Sequence, residues 1–261
     1  MQDYWQRQTA DKPLFPDLLW SRPENKRLAG KLLIIGGNVQ GFAAAAEAYN
    51  QASFAGVGTS RVILPDSLQK TVSRIFEAGE YVPSTPSGSL AKRALAEILD
   101  LSLWSDGVLI AGDLGRNSET AILLEQLLNK YSGQITITKD AVDYFTRSSK
   151  LITYRPNTTL VVSLAQLQKL AMSENYATAI TFNMDLIRLA EALHDFTSIY
   201  PVNFIVKHLE TIFVASNGRV STTKLKEDMN IWRVKIAAGA SVLWLQNPNK
   251  SFEALTSSLM Y

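Results

Sequence analysis

Short, unbroken apolar runs alternate along this chain with longer stretches whose apolar residues recur on a helical spacing. The first run is Lys31-Leu32-Leu33-Ile34-Ile35. A strand apolar on both sides of its pleat belongs in a sheet covered on both faces. Gly36-Gly37-Asn38 ends it, Phe42 to Ala55 reads as an Ala-rich helix, and Gly56-Val57-Gly58 leads into a second strand, Ser60 to Leu64, stopped by Pro65. Strand, glycine turn, helix and strand make one βαβ unit.

The pattern recurs. Leu90 to Leu101 reads as a helix, Asp106 to Ile110 as a strand, and Gly112-Asp113-Leu114-Gly115 as a turn. Glu119 to Tyr131 is an amphipathic helix with Leu123, Leu124, Leu127 and Leu128 on one side. Strands come next at Gln134–Thr138, Leu160–Val162 and Val202–Val206, with helical stretches at Leu164–Ala171 and Asn183–Leu193. Glu210 to Ala215 pairs with the segment beyond Asn217-Gly218, a dipeptide that is a strong tight-turn signal. This alternation predicts a mostly parallel sheet with helices on both faces. Residues 1–30 are polar and Pro-punctuated, and read as an arm over a neighbouring surface; 31–261 reads as one domain.

Composition narrows the classes. With 46% hydrophobic and 19% charged residues the chain can bury a large core, and a net charge of +2 gives no electrostatic case for nucleic acid or an anionic membrane. No cysteine is present, which excludes a disulfide framework, a thiolate nucleophile and a Cys-based zinc site; two histidines, His194 and His208, do not make a metal centre. Neither an apolar leader nor a run of about 18 apolar residues occurs, so a soluble cytoplasmic protein is expected.

The chemistry concentrates near the end of the chain. Ile231-Trp232-Arg233-Val234-Lys235 runs into Ile236 to Leu245, an Ala- and Leu-rich stretch that reads as a buried helix. A helix N-terminus in an α/β protein offers free N–H groups and a positive dipole end, a natural seat for phosphate. Glycines usually open such a seat because they let backbone approach the anion. Here Trp, Arg, Val and Lys stand in their place.

In order and spacing, residues 15–258 resemble one family, the ADP/ATP-dependent NAD(P)H-hydrate dehydratases of ribokinase-like fold. The resemblance implies a three-layer sandwich, with ADP or ATP and Mg2+ bound near the last motifs if the family site survives. It also implies repair of hydrated NADH or NADPH by phosphorylation and elimination. Gly36-Gly37-Asn38 keeps both glycines of the family's Gly-Gly-Ser, and Ala44 falls where the family's alanine meets the damaged nucleotide. Ala111-Gly112-Asp113-Leu114-Gly115 keeps Leu114 and Gly115 of Gly-Pro-Gly-Leu-Gly but has Asp113 for the central glycine. Asp140 and Ala141 survive from Asp-Ala-Asp-Ala-Leu; Val161-Val162-Ser163 replaces Thr-Pro-His, and Gln166 replaces its Glu. Lys207 is kept, while His208 stands for glycine. Counting back from Phe252-Glu253-Ala254, the Gly-Thr-Gly-Asp turn falls on Trp232-Arg233-Val234-Lys235.

The resemblance thus places Asn38, Ala44, Asp113, Gly115 and Ser163 at the substrate and Lys207, His208, Val234 and Lys235 at the nucleotide. No catalytic residue is intact, because Lys235 takes the position of the family's Asp, the candidate general base. An ammonium has no lone pair to accept a proton. Blander roles stand beside these: Arg233 and Lys235 solvated or binding an anion through side-chain charge, Lys207 on the surface, His208 a polar loop residue. Asp113 is expected to cap the turn after it, with Asn117 and Ser118 offering N-cap oxygens to the next helix.

Three functions emerge as expectations. The first is a catalytically impaired member acting as a binding or assembly partner. The second is an active dehydratase or related kinase with relocated groups. The third is a homo-oligomer subunit whose arm, with Trp5, Phe15 and Trp20, wraps a neighbour, and whose end at Tyr261 leaves an apolar surface to be covered.

Overall fold

The computed structural model describes residues 3–224 and 232–260. Ile231, which precedes Trp232 in the candidate phosphate seat, and Tyr261 lie outside the described residues. Ten strands form one sheet in the order β1-β10-β9-β8-β7-β6-β5-β2-β3-β4. They are β1 (Trp5–Gln8), β2 (Lys31–Gly36), β3 (Thr59–Pro65), β4 (Gly79–Val82), β5 (Gly107–Gly112), β6 (Gln134–Thr138), β7 (Thr158–Ser163), β8 (Asn203–His208), β9 (Thr211–Ser216) and β10 (Arg219–Lys224). From β8 to β4 every neighbouring pair is parallel; β9 is antiparallel to both β8 and β10. The Asn217-Gly218 turn closes the β9–β10 hairpin, both residues holding positive φ.

The longer helices divide between the two faces. On one side α1 (Ala43–Phe54), α6 (Trp232–Gln246) and α7 (Ser251–Ser257) bury small residues, Ala44, Ala45 and Ala48 against Val234, Ala237 and Ala240. On the other α2 (Leu95–Trp104), α3 (Ser118–Lys130), α4 (Leu164–Ser173) and α5 (Leu186–Ile199) bury larger ones, Leu123, Leu127, Leu167 and Phe196 among them. Helix, sheet and helix make the three layers expected of a ribokinase-like sandwich.

The first thirty residues depart from the expected arm. Trp5–Gln8 is an edge strand of the chain's own sheet, parallel to β10. Trp5 is buried, its Nε1 donating to Thr222 Oγ1 at 3.1 Å, and Phe15 packs edge-on to Phe252 at 5.9 Å. Two of the three aromatics expected to wrap a neighbour are therefore used within the chain, and only Trp20 is exposed, at 86%. The segment Trp5-Gln6-Arg7-Gln8 carries no apolar alternation, which is why its pairing is invisible to a hydrophobicity pattern. Elsewhere the predicted helix at Leu90 begins later, at Leu95, after a tight turn over Lys92–Ala94.

Candidate functional site

The sheet order reverses at β2. From β2 the chain moves outward to β3 and β4, then returns to β2's other side with β5 and continues to β8. Ligands of open α/β sheets sit outside the carboxyl ends of strands at such a switch point. The carboxyl ends here carry Gly36-Gly37-Asn38 and Gly112-Asp113, and α1 begins beside them. The two strands approach so closely that a Cβ on Gly36 would lie 2.8 Å from the Gly112 carbonyl oxygen. This is a physical reason for glycine at the end of β2.

Asp113 organises this part of the crevice. It holds a left-handed φ of 57°, a conformation that costs a non-glycine residue unless its surroundings fix it. Its own N–H and that of Leu114 donate to the two oxygens of Asp140, at 2.7 and 2.9 Å. Asn38 Nδ2 donates to its carbonyl at 2.6 Å. The Asp113 carboxylate receives the Ala44 N–H at 2.8 Å on one oxygen and pairs with Lys139 Nζ at 2.5 Å through the other. Asp113 therefore does not cap the turn after it. It caps α1, a helix sixty-nine positions earlier in sequence, so the N-terminal seat that could take a ligand's anion holds the chain's own carboxylate. Asn117 caps α3 as expected, accepting from Glu119 N at 2.8 Å.

The other part of the crevice is the start of α6. Val234 is fully buried, and Trp232 is half-buried against the small-residue core. Lys235 Nζ lies 3.3 Å from Glu47 Oε1 of α1. Arg233 Nη1 donates to Gln166 Oε1 at 3.1 Å. Burial lowers the guanidinium's pKa, while Asp143 and Asp140 act in the opposite direction. Two cavities adjoin across the Asp113–Lys139 pair. One of about 320 Å³ is lined by Ala43, Ala44, Glu47, Lys139, Trp232, Arg233 and Val234. One of about 690 Å³ is lined by Asn38, Gln40, Asp113, Gly115, Arg116 and Asp140 among others.

Of the residues singled out from sequence, Asn38, Asp113 and Gly115 thus share the larger cavity, Ala44 and Val234 the smaller, and Lys235 stands beside Glu47 at its edge. Ser163 and His208 are occupied elsewhere. Ser163 caps α4 in a reciprocal capping box with Gln166. His208 is the buried last residue of β8, its Nε2 2.7 Å from the Met184 carbonyl, and not a loop residue. Lys207 faces Ser163 across the β7–β8 ladder. Sequence reasoning missed Glu47 and the pairing role of Lys139. Glu47 is one charged residue on an Ala-rich helix, and nothing in its local pattern announces a partner on α6.

The chain has a ribokinase-like α/β fold. The sequence matches no protein-family model and no curated protein. The structure is similar to a ribokinase-like superfamily protein from Enterococcus faecalis, with TM-score 0.74 and 14% identity over 100% of this chain and 87% of that one. It is also similar to the ADP/ATP-dependent NAD(P)H-hydrate dehydratase of Bacillus subtilis co-crystallised with ATP and Mg2+, with TM-score 0.66 and 11% identity over 95% and 86% of the two chains. Pyridoxal kinase from Bacillus subtilis, solved as an ADP complex, matches with TM-score 0.56 and 11% identity over 88% of each chain. The fold is shared with kinases and a dehydratase, and at these identities the likeness speaks for the fold alone. Among the described residues no helix is long and apolar enough to cross a membrane.

Proposed function

We propose that this protein keeps a ribokinase-like crevice but no longer transfers a phosphoryl group there, and that it serves as a binding or assembly partner that takes a small oxyanion through side chains. The observation that carries the reading is the Lys235–Glu47 pair at 3.3 Å. Where the resembled family has a carboxylate to take a proton, this chain has an ammonium held by a carboxylate. The ADP or ATP and Mg2+ of that family fit these residues poorly. The glycine that lets backbone approach a phosphate is Val234, whose side chain is fully buried. At the start of α1 the Ala44 N–H is already engaged by Asp113.

What remains suits an oxyanion of modest size. Arg233 is half-buried on the 320 Å³ cavity, and among the described residues it makes one hydrogen bond, to a neutral amide. Cations sit unfavourably at a helix start, and a desolvated guanidinium gains most from an oxyanion that offers it two acceptor oxygens, a phosphate included. Calorimetry with inorganic pyrophosphate should show binding that Arg233→Ala abolishes; a heat signal unchanged in that variant would refute the anion site. For the loss of catalysis, purified protein with hydrated NADH, ADP or ATP and Mg2+ should regenerate no NADH.

One observation favours a second reading. Glu47 itself lines the smaller cavity, so a carboxylate from another segment stands in this crevice. If turnover were seen and Glu47→Gln removed it, Glu47 would be a relocated general base and the protein an active dehydratase or related kinase.

A further inference from the structure

Another cavity lies away from the crevice. It is a groove of about 980 Å³ among the 84–86 loop, the Lys92–Ala94 turn, α2 and α3. These helices pack on the larger-residue face of the sheet, whereas α1 and α6, which flank the crevice, pack on the other. Leu95 and Leu99 line the groove, one helical turn apart on α2 and each only partly buried. A further turn along the same stripe, Leu103 is 79% exposed. Leu95 and Leu99 flank the core-packed side of the helix and lend the groove their outer edges, while Leu103 carries the apolar line on into solvent.

The rim has a definite sign. Lys92 and Arg93, both exposed, stand at one wall and Lys130 at the end of α3, against a single acid, Glu119. From Leu95 to Leu103 the stripe runs about 12 Å, and from Glu119 to Lys130 the facing helix runs about 16 Å, two to three helical turns. That length, an apolar floor and a cationic rim match one kind of occupant: an amphipathic helix with apolar residues at i, i+4 and i+7 and carboxylates along its flanks. We infer that this groove docks an acidic amphipathic helical segment of a partner protein. The inference does not depend on how the crevice works.

The test uses the full chain and a fluorescein-labelled peptide of about 14 residues, four turns, with Leu on one face and Glu on the flanks. A matched peptide carries Lys in place of every Glu. Fluorescence anisotropy should show saturable binding of the Glu peptide, weakened as salt rises, and none of the Lys peptide. The exposed double change Lys92→Glu with Arg93→Glu should weaken the Glu peptide by about tenfold or more while leaving the circular dichroism spectrum and the urea-unfolding midpoint unchanged. That second measurement shows that the variant is folded, whatever the crevice binds. Absence of binding, equal binding of both peptides, or indifference to the charge reversal would each overturn it. So would concentration-dependent dimerisation abolished by Leu99→Asp, which would assign the groove to a second copy of this chain.

Discussion

The two halves of the crevice are built by different means. At the ends of β2 and β5 carboxylates grip backbone N–H groups, those of Asp113 and Leu114 on Asp140 and that of Ala44 on Asp113, beside the close approach of Gly36 to the Gly112 carbonyl. At the start of α6 the geometry is held by side chains, with Lys235 on Glu47, Arg233 on Gln166 and Val234 in the core. The strand-end contacts fix the backbone through two carboxylates, Asp113 and Asp140, whatever the crevice then binds. Charge pairs specify what a site can do, and here each pair joins residues that the sequence separates widely. The difference teaches that a shared scaffold carries little information about the reaction once the paired side chains differ.

The sharpest way to break this comparison is Val234→Gly, which restores the glycine of the resembled family. It removes a fully buried side chain near the first turn of α6 and adds the backbone freedom of glycine to a helix. A loss of about 3 kcal/mol is expected in urea unfolding. A loss under about 1 kcal/mol would mean that the helix start is pinned by something else. Next in size is Asp140→Ala. Two backbone donors would lose a charged acceptor, for a loss of about 2–3 kcal/mol. Indifference to this change would show that the strand-end half does not rest on that network.

Lys235→Ala belongs at the small end. Both partners are partly exposed, at 38% and 28%, so the pair with Glu47 should contribute less than about 1 kcal/mol, and less still in high salt. A larger, salt-insensitive loss would indicate that the pair also supports the packing of α1 on α6. The contrast with Asp140→Ala measures how differently the two halves are held.

The sheet was legible because its central strands are continuous apolar runs, Lys31–Ile35 and Leu160–Val162 being the plainest, and the Asn217-Gly218 turn marked the hairpin. The edges were not. β1 is Trp5-Gln6-Arg7-Gln8, and β4 is four residues after a loop; both pair by backbone, which leaves no trace in side-chain type. At the site, the motif positions Asn38, Asp113 and Gly115 could be placed in order, but what they contact could not. Asp113 was expected to serve its own turn and serves α1 instead, because the turn's reversal at the strand end aims its carboxylate across the switch point. Ser163 and His208 were assigned by position in a motif, and each is engaged by neighbours that only the fold supplies: the α4 N-terminus and the Met184 carbonyl.

The smallest predicted effect concerns Tyr144, which ties the strand-end half to the turn after it. Its hydroxyl donates to the Gly115 carbonyl and accepts the Asn117 N–H at 3.3 Å. Burial raises the phenol's pKa; the Asn117 hydrogen bond lowers it and the charge of Asp140 raises it again. A phenol whose folded pKa lies above its unfolded value of about 10 loses its proton first in the unfolded chain. Its contribution to stability is therefore complete below about pH 10 and is lost as pH rises through the folded pKa. Tyr131 and Tyr176, also raised by burial, act in the same sense. Unfolding free energy should fall with pH in the alkaline range, and Tyr144→Phe should flatten that fall without removing it. The measurement is urea unfolding at a series of pH values from neutral upward, comparing slopes and not midpoints. A variant whose alkaline slope equals that of the parent would mean that Tyr144 titrates alike in both states, and that the Gly115 turn is held by Asn38 and Asp140 without it.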